Sequence, residues 1–324
     1  VRRTSLCGTC AEDAPNTIGD SEMSWSPDGK WLATSVFVGP SGEAADCNIF
    51  LVPSDPRYGN ALTQFTAPPH LIHDYDPSWS PLGTEIAWDR HDNTIYRQGI
   101  KGIAAPADTT ARIVIERHVG TDNRGAAIPA ISPDGKWIAF TLKEATGPFH
   151  LWKIPVSGDS TQMVKLTNTA DVVDFFPQWS PDGLWILFDR AIGGLHHQIY
   201  RVKTNGDSLM AVLSPASPVH AATPSFAADG AVVVGSVGSS SFATTTVVPG
   251  LDSTQAGIVN FPEFASGDYI LSPRWSPDGT RLAMRARPPG HPTELNQLWA
   301  TRRNMSLPPV ISTLGGVAVL DSVP

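Results

Sequence analysis

The sequence predicts an all-β protein, a single six-bladed β-propeller with four antiparallel strands in each blade. One five-residue motif occurs six times along the chain. The copies end at Gly29, Gly83, Gly135, Gly183, Gly230 and Gly279. The intervals between these glycines are 54, 52, 48, 47 and 49 residues, a regular period of the kind that propellers and other repeat arrays show. A stretch rich in β-branched and aromatic residues follows each copy, as expected of a strand.

The motif has the composition of a tight turn between two antiparallel strands. Proline presets φ for the first turn position, aspartate tolerates the second, and glycine adopts the positive φ that closes the turn. Five copies place Ser-Pro-x-Gly after tryptophan or isoleucine, and the sixth, Phe226–Gly230, has lost its serine and proline. We expect the aspartates of these turns to be structural. They are Asp28, Asp134, Asp182 and Asp278.

Four strands fit into each repeat. The first ends at the aromatic residue before the turn, and the second follows the turn, as in Trp31–Val36 and Trp185–Arg190. A third is predicted at Asn48–Val52 and its equivalents, and a shorter fourth at places such as Met163–Leu166 and Val310–Thr313. The propeller is therefore predicted over residues 20–315, between an N-terminal extension (1–19) and a C-terminal tail (316–324). The blades begin near residues 20, 74, 126, 174, 221 and 269.

Composition argues against several classes of protein. Lysine and arginine number 23 against 31 aspartates and glutamates, a net charge of -8, and an acidic surface repels the phosphates of nucleic acid. No apolar run of 18 residues is present, so no membrane-spanning helix is expected. The chain begins at Val1, which suggests a processed or truncated start. Attachment to a membrane is expected only through an N-terminal signal that this sequence lacks.

Three cysteines are too few for a disulfide scaffold. Cys7 and Cys10 form a CxxC pair that precedes Ala11 and not histidine, so it is not a c-type haem attachment site. No βαβ pattern surrounds the pair, which makes a redox centre the weaker interpretation. We expect a structural bridge, either between Cys7 and Cys10 or from one of them to Cys47.

Charged side chains recur just before the first strand of several repeats. Four aspartates lie five to seven residues ahead of the aromatic residue of the motif. They are Asp20, Asp74, Asp174 and Asp268. Arg124 and His220 take comparable places, and His73 precedes Asp74.

In a propeller this segment lies beside one mouth of the central channel. The aspartates could bind a basic peptide, or Ca²⁺ or another cation through their oxygen atoms. Alternatively, each aspartate closes its own turn by accepting backbone N–H bonds. No other cofactor is expected.

The sequence does not favour either of two classes of enzyme. The chain contains no Gly-x-Ser-x-Gly pentapeptide, and about ten residues follow the sixth repeat, so a serine hydrolase domain is not expected. Its nine histidines do not recur at one repeat position, which does not favour a metal lyase with histidine ligands around the channel. From these observations the chain is predicted not to be an enzyme.

The aromatic-Ser-Pro-Asp-Gly turn followed by an apolar strand resembles the TolB-type, WD40-like propeller repeat. It also resembles the repeat in the N-terminal propellers of prolyl-oligopeptidase-like enzymes. The resemblance covers residues 20–315. It implies a bacterial-type, extracytoplasmic scaffold, in the periplasm, cell envelope or cell surface, that docks partner proteins or copies of itself.

Two alternatives remain at this stage. One is a small-ligand or carbohydrate-active enzyme, of the lyase or hydrolase kind, that uses the polar channel mouth. Its candidate residues are Asp74, His73, Arg124, Asp174, His220 and Asp268. The other is that the chain is one segment of a longer protein or assembly.

Overall fold

The computed structural model describes residues 17–38, 46–58, 62–69, 72–90, 94–99, 111–116, 125–144, 147–193, 196–214, 220–230, 232–237, 242–247, 257–259, 270–286, 297–302, 310–314 and 317–321. The regular secondary structure in these ranges consists of β-strands and two 3₁₀ turns, Pro56–Tyr58 and Ser160–Gln162. None of their helices is long and apolar enough to cross a membrane.

The strands form consecutive antiparallel sheets, each made from one stretch of chain. Sheet 1 contains β1 (Thr17–Trp25), β2 (Trp31–Val38), β3 (Asp46–Pro53) and β4 (Thr63–Gln64). Sheet 2 contains β5 (Asp74–Trp79), β6 (Glu85–Arg90), β7 (Thr94–Gly99) and β8 (Arg112–Glu116). Sheet 3 contains β9 (Ala126–Ile131), β10 (Trp137–Lys143), β11 (Phe149–Pro155) and β12 (Val164–Lys165).

The second half of the chain repeats this arrangement. Sheet 4 contains β13 (Val172–Trp179), β14 (Trp185–Ile192), β15 (His196–Lys203) and β16 (Met210–Leu213). Sheet 5 contains β17 (His220–Phe226), β18 (Val232–Val237), β19 (Phe242–Val247) and β20 (Gly257–Val259). Sheet 6 has three described strands, β21 (Ile270–Trp275), β22 (Arg281–Ala286) and β23 (Gln297–Arg302). A ribbon of β24 (Val310–Leu314) and β25 (Val317–Asp321) follows, and β25 contacts β23.

The first strands of the six sheets contact one another in cyclic order, β1 with β5, then β9, β13, β17 and β21, and β21 again with β1. The first and last sheets are also joined by side chains. Trp25 Nε1 donates to the carbonyl of Arg274 at 2.9 Å, and the Arg281 guanidinium donates to Ser54 Oγ and to the carbonyl of Gly29. The sheets therefore close into a ring, and the prediction of an all-β propeller with four-stranded antiparallel sheets is confirmed.

The motif forms the predicted turn between the first and second strands. In the first copy the N–H of Gly29 donates to the carbonyl of Ser26 at 2.9 Å, and Gly29 has a φ of 67°. Ser26 Oγ donates to Asp28 Oδ1 at 2.6 Å and accepts from the backbone N–H of Trp31 at 2.9 Å. Copies three, four and six repeat this serine–aspartate bond. The turn aspartates are therefore structural, as expected.

The hydrophobic core lies between neighbouring sheets. Between sheets 1 and 2, for example, Ile49 and Leu51 pack with Trp79, Ile86 and Trp88, all of them buried. Ala33, Ala87 and Ala139 on the second strands of sheets 1 to 3 belong to the clusters that hold large side chains of the next sheet. Each sheet therefore depends on its neighbours for the burial of its apolar face.

Candidate functional site

Asp74 and Asp174 are fully buried at the start of their strands, and each bonds an arginine of its own sheet. Arg90 donates to Asp74 from Nε at 2.7 Å and from Nη2 at 3.1 Å. Arg190 donates to Asp174 in the same way, at 2.7 and 2.9 Å. Burial raises the pKa of Asp174, but the nearby His150 ring and the Arg190 guanidinium outweigh this effect, so the pKa is lowered overall. Both carboxylates are thus neutralised by paired hydrogen bonds within one sheet.

The strand registers show which residues share this position. Asp74 lies opposite Arg90, and Asp174 lies opposite Arg190. In sheet 1 the residue equivalent to these arginines is Val36, and Ile18 lies opposite it. Asp20 falls two residues later, inside an irregular stretch of β1. Ala126, Ala221 and Ile270 hold the position in sheets 3, 5 and 6. The structure therefore brings carboxylates to two of the six equivalent positions.

The other predicted site residues are placed differently. His220 begins β17, and Arg124 and Asp268 lie outside the described residues. His73 Nδ1 accepts a hydrogen bond from the backbone N–H of Cys47 at 3.0 Å, so this ring has a structural bond. Within the described ranges, no three His, Cys, Asp or Glu side chains are grouped closely enough to hold a metal ion. A cation at the four aspartates stays a prediction, as does catalysis there.

The cysteine predictions can be placed only in part. Cys7 and Cys10 lie outside the described residues. Cys47 is buried in β3 as a free thiol. Burial raises the pKa of this thiol well above its ordinary value, and the negative charge of Asp74 raises it further. Cys47 is therefore held as the neutral thiol, and a bridge between Cys7 and Cys10 stays a prediction.

Two further buried carboxylates, Asp89 and Asp189, link neighbouring sheets. Asp89 Oδ1 accepts the backbone N–H of Ile128 in sheet 3 at 3.1 Å, and Asp189 accepts that of Thr223 in sheet 5. Asp189 also contacts His197 Nδ1 through both oxygen atoms, at 2.8 and 3.0 Å. The repeated tripeptides Trp88-Asp89-Arg90 and Phe188-Asp189-Arg190 carried the sequence signal for these residues, although sequence reasoning did not propose them as a site.

The two carboxylates differ in how they are neutralised. Burial raises the pKa of Asp89 well above its ordinary value, and the charge of Asp76 and a side-chain hydrogen bond with it raise it further. Burial also raises the pKa of Asp189, but the bonded His197 opposes this rise. The same bond raises the pKa of His197 above its ordinary value. Asp89 is thus favoured as the protonated acid, and Asp189 as the partner of an imidazolium.

A bulge interrupts each first strand halfway along the channel. In five sheets the bulge contains a non-glycine residue with φ between 49° and 55°, followed directly by proline. These residues are Asp76, Ile128, Phe176, Thr223 and Ser272. Positive φ is strongly disfavoured for the β-branched Ile128 and Thr223, at a cost of about 1–3 kcal/mol each. The N–H groups of Ile128 and Thr223 donate to Asp89 and Asp189, and these bonds help to hold the strained backbone.

An axial cavity of about 330 Å³ lies at the end of the channel where the six turns are found. All six sheets contribute to its wall, which combines the last residues of the first strands with residues of the turns. Its rim is exposed and carries the first turn position of four sheets. These rim residues are Pro81, Pro181, Ala228 and Pro277. The cavity therefore reaches the surface on the face that carries the turns, which we call the turn face.

The wall of the axial cavity combines aromatic and polar side chains. Trp25, Trp179 and Trp275 supply flat aromatic surfaces. Ser78 and Ser225 supply hydroxyl groups, each of which accepts the N–H of the aliphatic or aromatic residue that begins the next turn motif, at 2.9 and 3.1 Å. Sequence reasoning missed this cavity because it treated the turn residues as structural alone.

No protein-family model matches the sequence, and neither does any curated protein. Solved structures do match its fold. A protein of Agrobacterium tumefaciens described as TolB has a TM-score of 0.58 at 19% identity, over 86% of this chain and 88% of its own. TolB of Acinetobacter baumannii has a TM-score of 0.54 at 18% identity, over 90% of this chain and 65% of its own. A puromycin-hydrolyzing peptidase of Mycobacterium tuberculosis has a TM-score of 0.57 at 14% identity, over 94% of this chain and 55% of its own. This chain thus spans less than two thirds of the latter two proteins.

The repeats and the missing hydrolase motif led to the prediction that this chain is not an enzyme, and that inference is wrong. The peptidase is one enzyme that shares the fold. An oligogalacturonate lyase of Vibrio parahaemolyticus is another, with a TM-score of 0.54 at 11% identity, and this chain spans 80% of it and 91% of itself. Propellers of this kind therefore include enzymes, and the absence of a hydrolase motif does not exclude catalysis. At this level of identity the comparisons establish the fold alone: the chain has the β-propeller fold that the two TolB proteins share.

Proposed function

We propose that this chain is a protein-docking β-propeller whose partner binds the turn face and inserts a group into the axial cavity. The observation that carries the proposal is the cavity itself, which all six sheets line and which reaches the surface at an exposed rim. A concave site with aromatic walls is the kind of pocket in which an interface residue becomes fully desolvated.

The surface around the cavity favours binding to another protein. Leu82 and Leu184 lie on the turns of sheets 2 and 4 and are 65% and 60% exposed. Leu82 directly follows Pro81 of the rim, and Leu184 lies three residues after Pro181, so exposed apolar groups occur on the same turns as the rim. Apolar groups around a pocket, with polar groups beyond them, are typical of protein interfaces.

The turn face is also prepared for binding, because its backbone is fixed. In each described turn the glycine N–H donates to the carbonyl three residues earlier, at 2.8–2.9 Å. In most copies a serine–aspartate bond braces the turn as well. A surface that is already ordered loses little conformational entropy when a partner binds.

The TolB-like fold supports an extracytoplasmic place of action and a partner in the cell envelope or on the cell surface. That partner is either a different protein or a second copy of this chain. The proposal concerns binding and leaves catalysis open, since enzymes share the fold.

Replacing Ala228 by arginine is expected to abolish partner binding while the fold persists. Ala228 is exposed at the first turn position of sheet 5, so the longer side chain has room but covers the rim of the cavity. Blocking the centre of an interface costs about 2 kcal/mol or more of binding free energy. Surface changes of this kind alter stability by about 0.5 kcal/mol or less. Cross-linked complexes captured with wild-type and variant protein would be compared by quantitative mass spectrometry.

The matched control is Ala211→Arg, which adds the same side chain to the exposed face of β16 on the outer edge of sheet 4. A specific partner should be lost with Ala228→Arg and retained with Ala211→Arg. Equal capture by both variants, or a loss confined to Ala211→Arg, would contradict docking at the turn face.

A further inference from the structure

Several side chains in the wall of the axial cavity can donate hydrogen bonds. Ser24 Oγ accepts the backbone N–H of Trp79 at 2.8 Å, as Ser78 and Ser225 Oγ accept corresponding N–H groups from the next sheets. A hydroxyl that accepts in this way still has its own hydrogen to donate. These three serines line the cavity, so each can donate to a group placed inside it.

Two longer side chains add to this set of donors. Gln178 lines the cavity from sheet 4, and its amide nitrogen carries two hydrogens. Arg274 lines it from sheet 6 and is the one charged residue among the described residues of the wall. Its Nη1 donates to the carbonyls of Thr223, Pro224 and Pro273 at 3.3, 3.1 and 2.9 Å. Burial lowers the pKa of Arg274 to about 9, so the guanidinium remains a cation at neutral pH.

We infer that the axial cavity binds a carboxylate group. A carboxylate offers two oxygen acceptors and one negative charge, which complement the serine, glutamine and arginine donors of the wall. The carbon chain of such a ligand would lie against Trp25, Trp179 and Trp275. A volume of about 330 Å³ suits a side chain, a chain terminus or a small organic acid.

The carboxylate has two possible sources, which share this chemistry. It is either the C-terminus of the docked protein or a free small organic acid. The first source rests on the proposed docking function, whereas the second does not require it. Binding of the carboxylate itself can therefore be measured without any protein partner.

The test is a titration followed by tryptophan fluorescence, because Trp25, Trp179 and Trp275 line the cavity. Succinate and its uncharged analogue succinamide are the small-molecule probes. The tripeptide Ala-Ala-Ala with a free C-terminus, and the same peptide amidated and N-acetylated, probe the chain-terminus source. We expect a saturable change with succinate or the free peptide, and binding at least tenfold weaker for the uncharged counterpart.

Gln178→Glu places a negative charge in the wall without removing the buried arginine, and it is expected to weaken carboxylate binding at least tenfold. The matched control is Gln64→Glu, the same change at an exposed position of β4 in sheet 1. Thermal unfolding would verify that both variants fold. Saturation by succinate identifies a free acid as ligand, and saturation by the peptide alone identifies a chain terminus.

Three results would overturn the inference. They are no saturable change with any carboxylate, equal binding of charged and uncharged probes, and equal binding by wild-type protein and Gln178→Glu. The outcome is separable from that of the docking proposal. If carboxylates do not bind but Ala228→Arg still removes a partner, docking stands and this inference fails. If carboxylates bind but Ala228→Arg removes no partner, this inference stands and the docking proposal fails.

Discussion

Replacing Asp174 by alanine is expected to destabilise the protein by about 3–5 kcal/mol, because it leaves a buried cation without its anion. The Arg190 side chain is 4% exposed and donates two hydrogen bonds to Asp174. Its remaining described bond, from Nη1 to Thr169 Oγ1 at 3.1 Å, is to a neutral hydroxyl. Urea unfolding followed by tryptophan fluorescence would measure the difference in the free energy of unfolding.

The double variant Asp174→Leu with Arg190→Met provides the control. Replacing both members of a buried ion pair by apolar residues of similar size is often nearly neutral, whereas removing one member is costly. We therefore expect the double variant to recover most of the stability that Asp174→Ala loses. A loss below about 1 kcal/mol for Asp174→Ala would show that the pair does not stabilise sheet 4 as the geometry indicates.

The equivalent changes Asp89→Asn and Asp189→Asn are expected to have opposite effects on stability. Because the pKa of Asp89 is raised in the folded protein, the native state binds more protons than the unfolded chain. Stability therefore falls as the pH rises from the unfolded pKa through the folded one. Asparagine imitates the protonated acid and still accepts from Ile128, so Asp89→Asn should gain on the order of 1–2 kcal/mol at pH 8, with little change at low pH.

At the equivalent position in sheet 4, asparagine cannot supply the charge that His197 requires. The pKa of His197 is raised in the folded protein, so its stabilising contribution is complete below its unfolded value and lost as the pH rises through the folded one. Asp189→Asn should therefore destabilise by about 1.5–3 kcal/mol near pH 5.5 and by less at pH 8. Thermal melts of both variants at pH 5.5 and 8 would test the pair. The same sign of change for both variants would contradict the assignment.

The fold could be predicted from sequence because its signal is local. Each turn contains its own determinants, such as the Ser26–Asp28 bond and the positive φ of Gly29, and they lie within four residues of each other. The strands that flank these turns show their β-branched and aromatic composition directly. A local pattern that recurs at a fixed interval needs no knowledge of distant contacts to be recognised.

The site could not be predicted in the same way, because it depends on register and on ring closure. Counting five residues back from the aromatic residue gives Asp20 and Asp74 as equivalents, but β1 contains a longer irregular stretch that places Ile18 opposite Val36 instead. The length of a bulge cannot be read from a repeat interval. The axial cavity combines residues that are far apart along the chain, and closure of the ring brings them together.

A photo-reactive amino acid at position 228 tests the central claim most directly, namely that a ligand group or partner occupies the axial cavity at the turn face. Irradiation in the native extract should cross-link one defined partner from position 228, and the same residue at position 211, on the outer strand β16, should not. Cross-linking to that partner from position 211 and not from position 228 would contradict the account.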